Sequence, residues 1–199
     1  MGPDLSLLLP AVRALAEKAG SEIMAIYRDD TRWNVQSKED DSPLTAADLA
    51  ANKIIVAGLA ALTPEIPVIS EECEAVPFSL RSTWAHCWLV DPLDGTKEFI
   101  ARTDEFSVNI ALVENGEAIL GVVYAPATAT AYVAARGLGA FRIDKEGSAA
   151  IHVARFPEAG ERALRIVASR RHRGARDLDF CTAVAAELGA IELTVAGSA

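Results

Sequence analysis

The chain has 199 residues, 51% of them hydrophobic and 24% charged, and 19 basic against 28 acidic side chains leave a net charge of −9. That composition suits a soluble globular protein with a sizeable core, and an acidic surface argues against generic binding to nucleic-acid phosphates unless cations stand between. The cysteines, Cys73, Cys87 and Cys181, are odd in number, widely spaced and without a C-x-x-C pair, so neither a disulfide framework nor a zinc knuckle is expected, and free thiols suit a reducing, cytoplasmic setting.

In chain order, the N-terminus lacks a basic region leading into a long apolar core, so no signal peptide is expected, and no run has the length and purity of a membrane span. Val12, Leu15, Ala16, Ala19, Ile23 and Ile26 recur at helical spacing and predict an amphipathic helix over 5–28. Residues 29–44 are polar and read as a loop or a short hairpin. A second helix should begin near Thr45, bury Leu49, Ile55, Val56, Leu59 and Leu62, and end at Thr63-Pro64.

The pattern then changes to short apolar runs. Pro67–Ser70 and Cys87–Val90 read as buried strands that run directly into acid. Phe106–Val113, Ala118–Tyr124 and Thr130–Ala135 read as consecutive strands, with Asn115-Gly116 as a hairpin turn between the first two. Further strands are expected at 141–143, 151–153, 164–168 and 191–195, with a helix over about 175–188 closed by Gly189. Helices first, then a meandering sheet, then an α/β segment imply an α+β, layered mixed domain rather than a strict βαβ array.

Asp48, Glu71, Asp91 and Asp94 stand out by position. Glu71 follows one expected strand and Asp91 ends another, so adjacent strand ends would bring them together. Asp94 joins them if Pro92-Leu93 turns the chain, which Asp94-Gly95 permits. Carboxylates this close must be protonated or held by cations, and hard oxygen donors suit Mg²⁺ or Mn²⁺. Each acid also has a plain structural alternative. Asp94-Gly95 can be a surface turn and Glu71-Glu72 a solvated loop. Asp48 fits a capping box with Thr45. His86 and His152 are expected to be structural, and Cys73 a packed or partly exposed thiol.

Taken together, Ser37-Lys38, Asp41-Ser-Pro-Leu-Thr-Ala-Ala-Asp48, Ile69-Ser-Glu-Glu72 and Asp91-Pro-Leu-Asp-Gly-Thr96 resemble the inositol monophosphatase superfamily. Lys97-Glu98-Phe99-Ile100, Gly121-Val-Val-Tyr-Ala-Pro126 and Ser169-Arg-Arg-His172 are similar to its 3′(2′),5′-bisphosphate nucleotidase branch. The resemblance implies the layered α-β-α-β-α sugar-phosphatase fold, with a first lobe over about 1–155 and the start of a second over about 156–199. It implies a lithium-sensitive, Mg²⁺-dependent phosphomonoesterase that clears 3′-phosphoadenosine 5′-phosphate, a by-product of sulfate assimilation, to AMP and phosphate. The alternatives are an inositol-1-monophosphatase or other sugar phosphatase, and a catalytically dead nucleotide-binding module.

The same resemblance implies roles. Glu71, Asp91, Asp94 and the Leu93 carbonyl would ligate two or three Mg²⁺ ions, or Mn²⁺. Asp48 and Thr96, with Glu71, would orient and deprotonate the attacking water. Leu93, Asp94, Gly95 and Thr96 would hold the phosphate, with His172 and Ser198 on the nucleotide. Side-chain acid–base catalysis contributes roughly 10²–10⁴-fold, whereas the slowest phosphate-ester hydrolyses need about 10²¹-fold, so cations are expected to carry much of the acceleration. Ser169–Arg176 is either a solvated basic loop or a clamp for the second phosphate. The expected partner is a small nucleotide bisphosphate, with no nucleic acid and no integral membrane segment. A monomer or homodimer is expected, in the cytoplasm or peripheral at the inner face of its membrane. The family pattern also continues past Ala199, with a Trp-Asp pair as a further metal site; no Trp-Asp pair follows Asp91 here.

Overall fold

A computed structural model describes residues 2–29, 36–37, 43–158, 161–170 and 174–197. The chain divides into two compact units, 1–151 and 152–199.

The first unit opens with α1 (Leu5–Tyr27), whose N-cap Asp4 accepts a hydrogen bond from the Ser6 N–H at 3.0 Å. Its buried stripe includes Val12, Ala16, Ala19, Ile23 and Ile26, the helical spacing seen in the sequence. Two short antiparallel strands, β1 (Gln36–Ser37) and β2 (Pro43–Leu44), precede α2 (Ala46–Leu62). Thr45 caps α2 with a complete capping box, and Thr63 closes it. The buried face of α2 is Ala47, Asp48, Ala51, Ile55 and Leu59. Leu49 and Leu62, expected inside, are 46% and 41% exposed. Apolar residues surround this helix almost completely, so hydrophobicity alone does not select a face. The alanines do, because they let the helix approach closely.

A seven-stranded sheet follows, in the order β3-β4-β5-β6-β7-β8-β9. β3 (Val68–Ser70) and β4 (His86–Asp94) are parallel, joined through the short α3 (Phe78–Arg81). α4 (Thr96–Ile100) then leads to an antiparallel meander of β5 (Ser107–Glu114), β6 (Glu117–Ala125), β7 (Thr130–Ala135), β8 (Gly139–Asp144) and β9 (Gly147–Ala150). The strand expected at 151–153 is absent; β9 ends at Ala150, because its pairing comes from the turn at Gly147 rather than from the apolar Ile151 and Val153. Asn115 and Gly116 both have positive φ, 50° and 86°, and join β5 to β6 as a two-residue hairpin.

One face of the sheet is covered by the helices. α1 lies on β5–β7 and α2 on β3–β4. Trp88, Val90, Val108, Ile110, Leu112, Leu120, Val122 and Val133 alternate inward to form the core with them. The Trp88 Nε1–H donates to Thr63 Oγ1 at 2.9 Å, so the buried indole keeps its hydrogen bond at the C-cap of α2.

The second unit is a βαβ element. β10 (Leu164–Ser169) and β11 (Ile191–Ala196) are parallel and in unbroken register, connected by α5 (Ala175–Leu188). Gly189, at φ 92°, ends the helix. No helix among the described residues is long and apolar enough to cross a membrane.

Candidate active site

Parallel pairing sets the first two acids side by side. Ser70 of β3 is in register with Val90 of β4, so the next residues, Glu71 and Asp91, leave the two strands together. The Glu71 N–H donates to the Val90 carbonyl at 3.1 Å and fixes that register. Two side chains not singled out in the sequence hold the turn that follows. Ser70 Oγ donates to Asn52 Oδ1 at 2.7 Å, and Asn52 Nδ2 lies 3.6 Å from Cys73 Sγ.

Asp94 arrives by a route different from the expected turn at Pro92-Leu93. β4 continues through both residues, and a register shift absorbs them. Asp91 faces Asn109 and Asp94 faces Ser107 on β5. Pro92 and Leu93 thus oppose the single residue Val108, a β-bulge. Residues three apart on a regular strand point to opposite faces; the extra residue puts Asp91 and Asp94 opposite β5 residues that are two apart, on one face. Proline suits this place because a bulge leaves one backbone group outside the ladder. The Leu93 N–H donates to Asp91 Oδ1 at 3.2 Å, tying the bulge to the carboxylate it aims.

Beyond Asp94, Gly95 takes a left-handed conformation (φ 90°, ψ 37°) as the N-cap of α4. A side chain is disfavoured there, and no side chain caps the first amides of the helix. Thr96 Oγ1 lies 3.1 Å from Asp48 Oδ1 and 3.2 Å from the Leu93 carbonyl. A hydroxyl has one hydrogen, so it serves one acceptor at a time. Asp48 itself is buried, 1% exposed. Its Oδ2 accepts from the Thr45 N–H at 2.8 Å and from Thr45 Oγ1 at 2.5 Å. The capping box and the contact to Thr96 are therefore not alternatives: one oxygen caps the helix and the other faces the hydroxyl.

The electrostatics follow from this crowding. Burial, then the charges of Glu71 and Asp94, push the Asp91 carboxyl up to about 7; the Leu93 N–H pulls it back in part, and the Asp48 charge adds to the rise. Burial also raises the Asp48 carboxyl, opposed by its bonds to Thr45 and Thr96. Glu71 and Asp91 line one cavity of about 390 Å³, whose remaining walls include Ile69, Leu89, Ala111 and Val123. Among the described residues no three His, Cys, Asp or Glu side chains already stand as an ion-binding cage. The donor set nevertheless fits a divalent cation by its chemistry, since it is all oxygen and its like charges are destabilising without one. Glu71, Asp91, Asp94 and the Leu93 carbonyl are the groups that could hold it. His172 and Ser198 lie outside the described residues, as do Lys38, Asp41 and Ser42 of the quoted motifs.

Ser107 and Asn109 are the site-facing residues that sequence reasoning missed. Their signal was the alternation on β5, which places them two apart on the face opposite the buried Val108 and Ile110.

Comparison with known proteins places this constellation in a family. A stretch of 130 residues is 52% identical to the 3′(2′),5′-bisphosphate nucleotidase CysQ of Salmonella typhimurium, covering 65% of this chain and 52% of that protein. CysQ of Escherichia coli strain K12 matches equally, at 52% over 130 residues and the same coverage. The chain spans about half the length of these curated relatives. The crystal structure of CysQ from Bacteroides thetaiotaomicron, a bacterial member of the inositol monophosphatase family, superposes with a TM-score of 0.78 at 35% identity, over 95% of this chain and 72% of that one. Residues 4–188 match the inositol monophosphatase family as a whole, and the chain belongs to that family.

Proposed function

We propose that this chain carries the reaction centre of a divalent-cation-dependent 3′(2′),5′-bisphosphate nucleotidase, which hydrolyses 3′-phosphoadenosine 5′-phosphate to AMP and phosphate with Mg²⁺ as the metal. The observation that carries the proposal is Asp91, crowded by Asp94 on the same bulged strand and by Glu71 at the end of the neighbouring one, beside the Asp48–Thr96 pair. The similarity to the CysQ nucleotidases supports the substrate class.

A bound divalent cation would supply Lewis-acid polarisation of the phosphate and a lower pKa for water, held by Glu71, Asp91, Asp94 and the Leu93 carbonyl. The residues of the chain do the rest. Thr96 Oγ1 orients the attacking water and passes its proton to Asp48 Oδ1. Asp48 suits that task because Thr45 locks its other oxygen and burial raises its proton affinity. Gly95 keeps the approach of the phosphate to the α4 amides free of a side chain. Ser169–Arg176 would engage the second phosphate, and His172 and Ser198 the nucleoside.

Phosphate release from adenosine 3′,5′-bisphosphate, inositol 1-phosphate and NADP, measured with Mg²⁺, with chelator and with Li⁺, tests the proposal. The expected result is Mg²⁺-dependent, Li⁺-inhibited release, with the lowest KM for the adenosine bisphosphate. Asp94→Asn should lower turnover by more than about 100-fold. Preference for inositol 1-phosphate would favour the sugar-phosphatase reading, and nucleotide binding without phosphate release a binding module.

A further inference from the structure

Each acid on the bulged strand has a neutral polar partner across the ladder: Ser107 opposite Asp94 and Asn109 opposite Asp91. Ser107 is buried, 3% exposed, and its Oγ donates to Asn109 Oδ1 at 3.2 Å. In the structure Oδ1 faces Ser107 and Nδ2 is turned away from it. Nδ2 has no partner among the described residues. Asn109 lines the same cavity as Glu71 and Asp91, whose apolar walls offer it no acceptor. Ser70, the other neutral polar side chain there, is engaged with Asn52.

We propose that Asn109 is a positioning residue for Asp91: its Nδ2, unbonded among the described residues, is the donor that turns to the carboxylate oxygen the Leu93 N–H does not hold. Directly opposed residues have Cβ atoms about 4.5–5.5 Å apart, within reach of a carboxamide–carboxylate hydrogen bond. The choice of residue has a physical logic. A lysine or arginine here would neutralise Asp91 and compete with a divalent cation. A neutral donor fixes the direction of the carboxylate and leaves its charge for the ion. Ser107 completes the chain, since its hydroxyl anchors one end of the carboxamide.

This inference rests on the proposed cation-dependent centre, and the test separates the two. Calorimetric titration with Mg²⁺ alone should show affinity about 10–100-fold weaker in Asn109→Ala than in the unsubstituted protein. Ser107→Ala should show a smaller loss in the same direction. In turnover, the Mg²⁺ concentration giving half-maximal rate should rise in parallel, while KM for the bisphosphate moves less than about 3-fold, a split that general loosening of the sheet would not produce. Mg²⁺ affinity within twofold in a natively melting Asn109→Ala overturns the assignment. Should that variant not fold, the side-chain amide resonances of Asn109 in the unsubstituted protein decide: they should shift on Mg²⁺ addition, and static resonances overturn it. If the unsubstituted protein neither binds Mg²⁺ nor releases phosphate, the phosphatase proposal falls and Asn109's role with it.

Discussion

Asp91 is an acid whose surroundings oppose its charge, and this makes stability depend on pH in an unusual direction. Its carboxyl has an ordinary value of 3.8 and is pushed up to about 7 in the folded chain by burial, Glu71 and Asp94. Between these values the folded state binds more protons than the unfolded one, so unfolding free energy falls as pH rises. The contribution is fully present below the unfolded value and is lost as pH climbs through the folded one. Burial of Asp48 acts with the same sign. In chelator the melting temperature should therefore be higher near about pH 5 than near about pH 8, and saturating Mg²⁺ should reduce or reverse the difference. A melting temperature that rises over this range in chelator would contradict the crowding of these carboxylates. The acids themselves were legible from strand ends running into acidic residues. The bulge was not: a spacing of three on a strand ordinarily separates side chains, and nothing local in Pro92-Leu93 distinguishes a tight turn from one extra residue in a ladder. Only the partner strand, with Ser107 and Asn109 in register, decides it.

At the scale of elements, close approaches hold the helices in place, and two glycines mark them: Gly20 where α1 meets the sheet and Gly58 where α2 meets α1. A Cβ at Gly20 of α1 would meet Tyr124 Cε1 at 2.5 Å, Tyr124 Cδ1 at 2.8 Å and Pro126 Cγ at 3.0 Å; one at Gly58 of α2 would meet Leu15 Cδ1 at 2.4 Å. Alanine in a helix interior gains about 1 kcal/mol over glycine, whereas overpacking costs about 1–3 kcal/mol. At Gly20 the obstacles are two rigid rings, those of Tyr124 and Pro126, so the clash should win. Gly20→Ala is expected to destabilise the protein by about 1 kcal/mol or more in urea unfolding; stabilisation would mean that Tyr124 swings aside freely. Such close approaches explain what the sequence conveyed of each helix. The stripe of α1 was readable because its large apolar residues fall on one side. On α2 the contact is made by Ala47, Ala51 and the buried Asp48, which hydrophobicity ranks below the exposed Leu49 and Leu62. The hairpin at Asn115-Gly116 was readable for the opposite reason, since its two positive φ values depend on those two residues alone.

At the scale of the whole chain, the two units differ in what they bury. Every buried hydrophobic of the described core lies between Leu8 and Ala135, within the first unit. The acids from Asp48 to Asp94, Thr96 and Asn109 are in that unit as well. The second unit leaves Val167 of β10 69% exposed, and Leu178 and Phe180 of α5 61% and 59%. A two-stranded parallel sheet with one helix has too little interior to offset the conformational entropy of its chain, whereas a domain of about 150 residues removes some 68–70% of its surface from water. A fragment ending at Ile151 should therefore unfold cooperatively in urea, with dispersed amide resonances and the buried Trp88 shielded from a fluorescence quencher. Residues 152–199 made alone should give the collapsed amide dispersion of an unordered peptide. The carboxylate face of the sheet, resting on contacts internal to the first unit, should then survive in that fragment, and Mg²⁺ added to it should still shift the amide resonances of Asp91 and Asp94. Failure of the shorter fragment to fold would show that the sheet needs the later segment for its own stability.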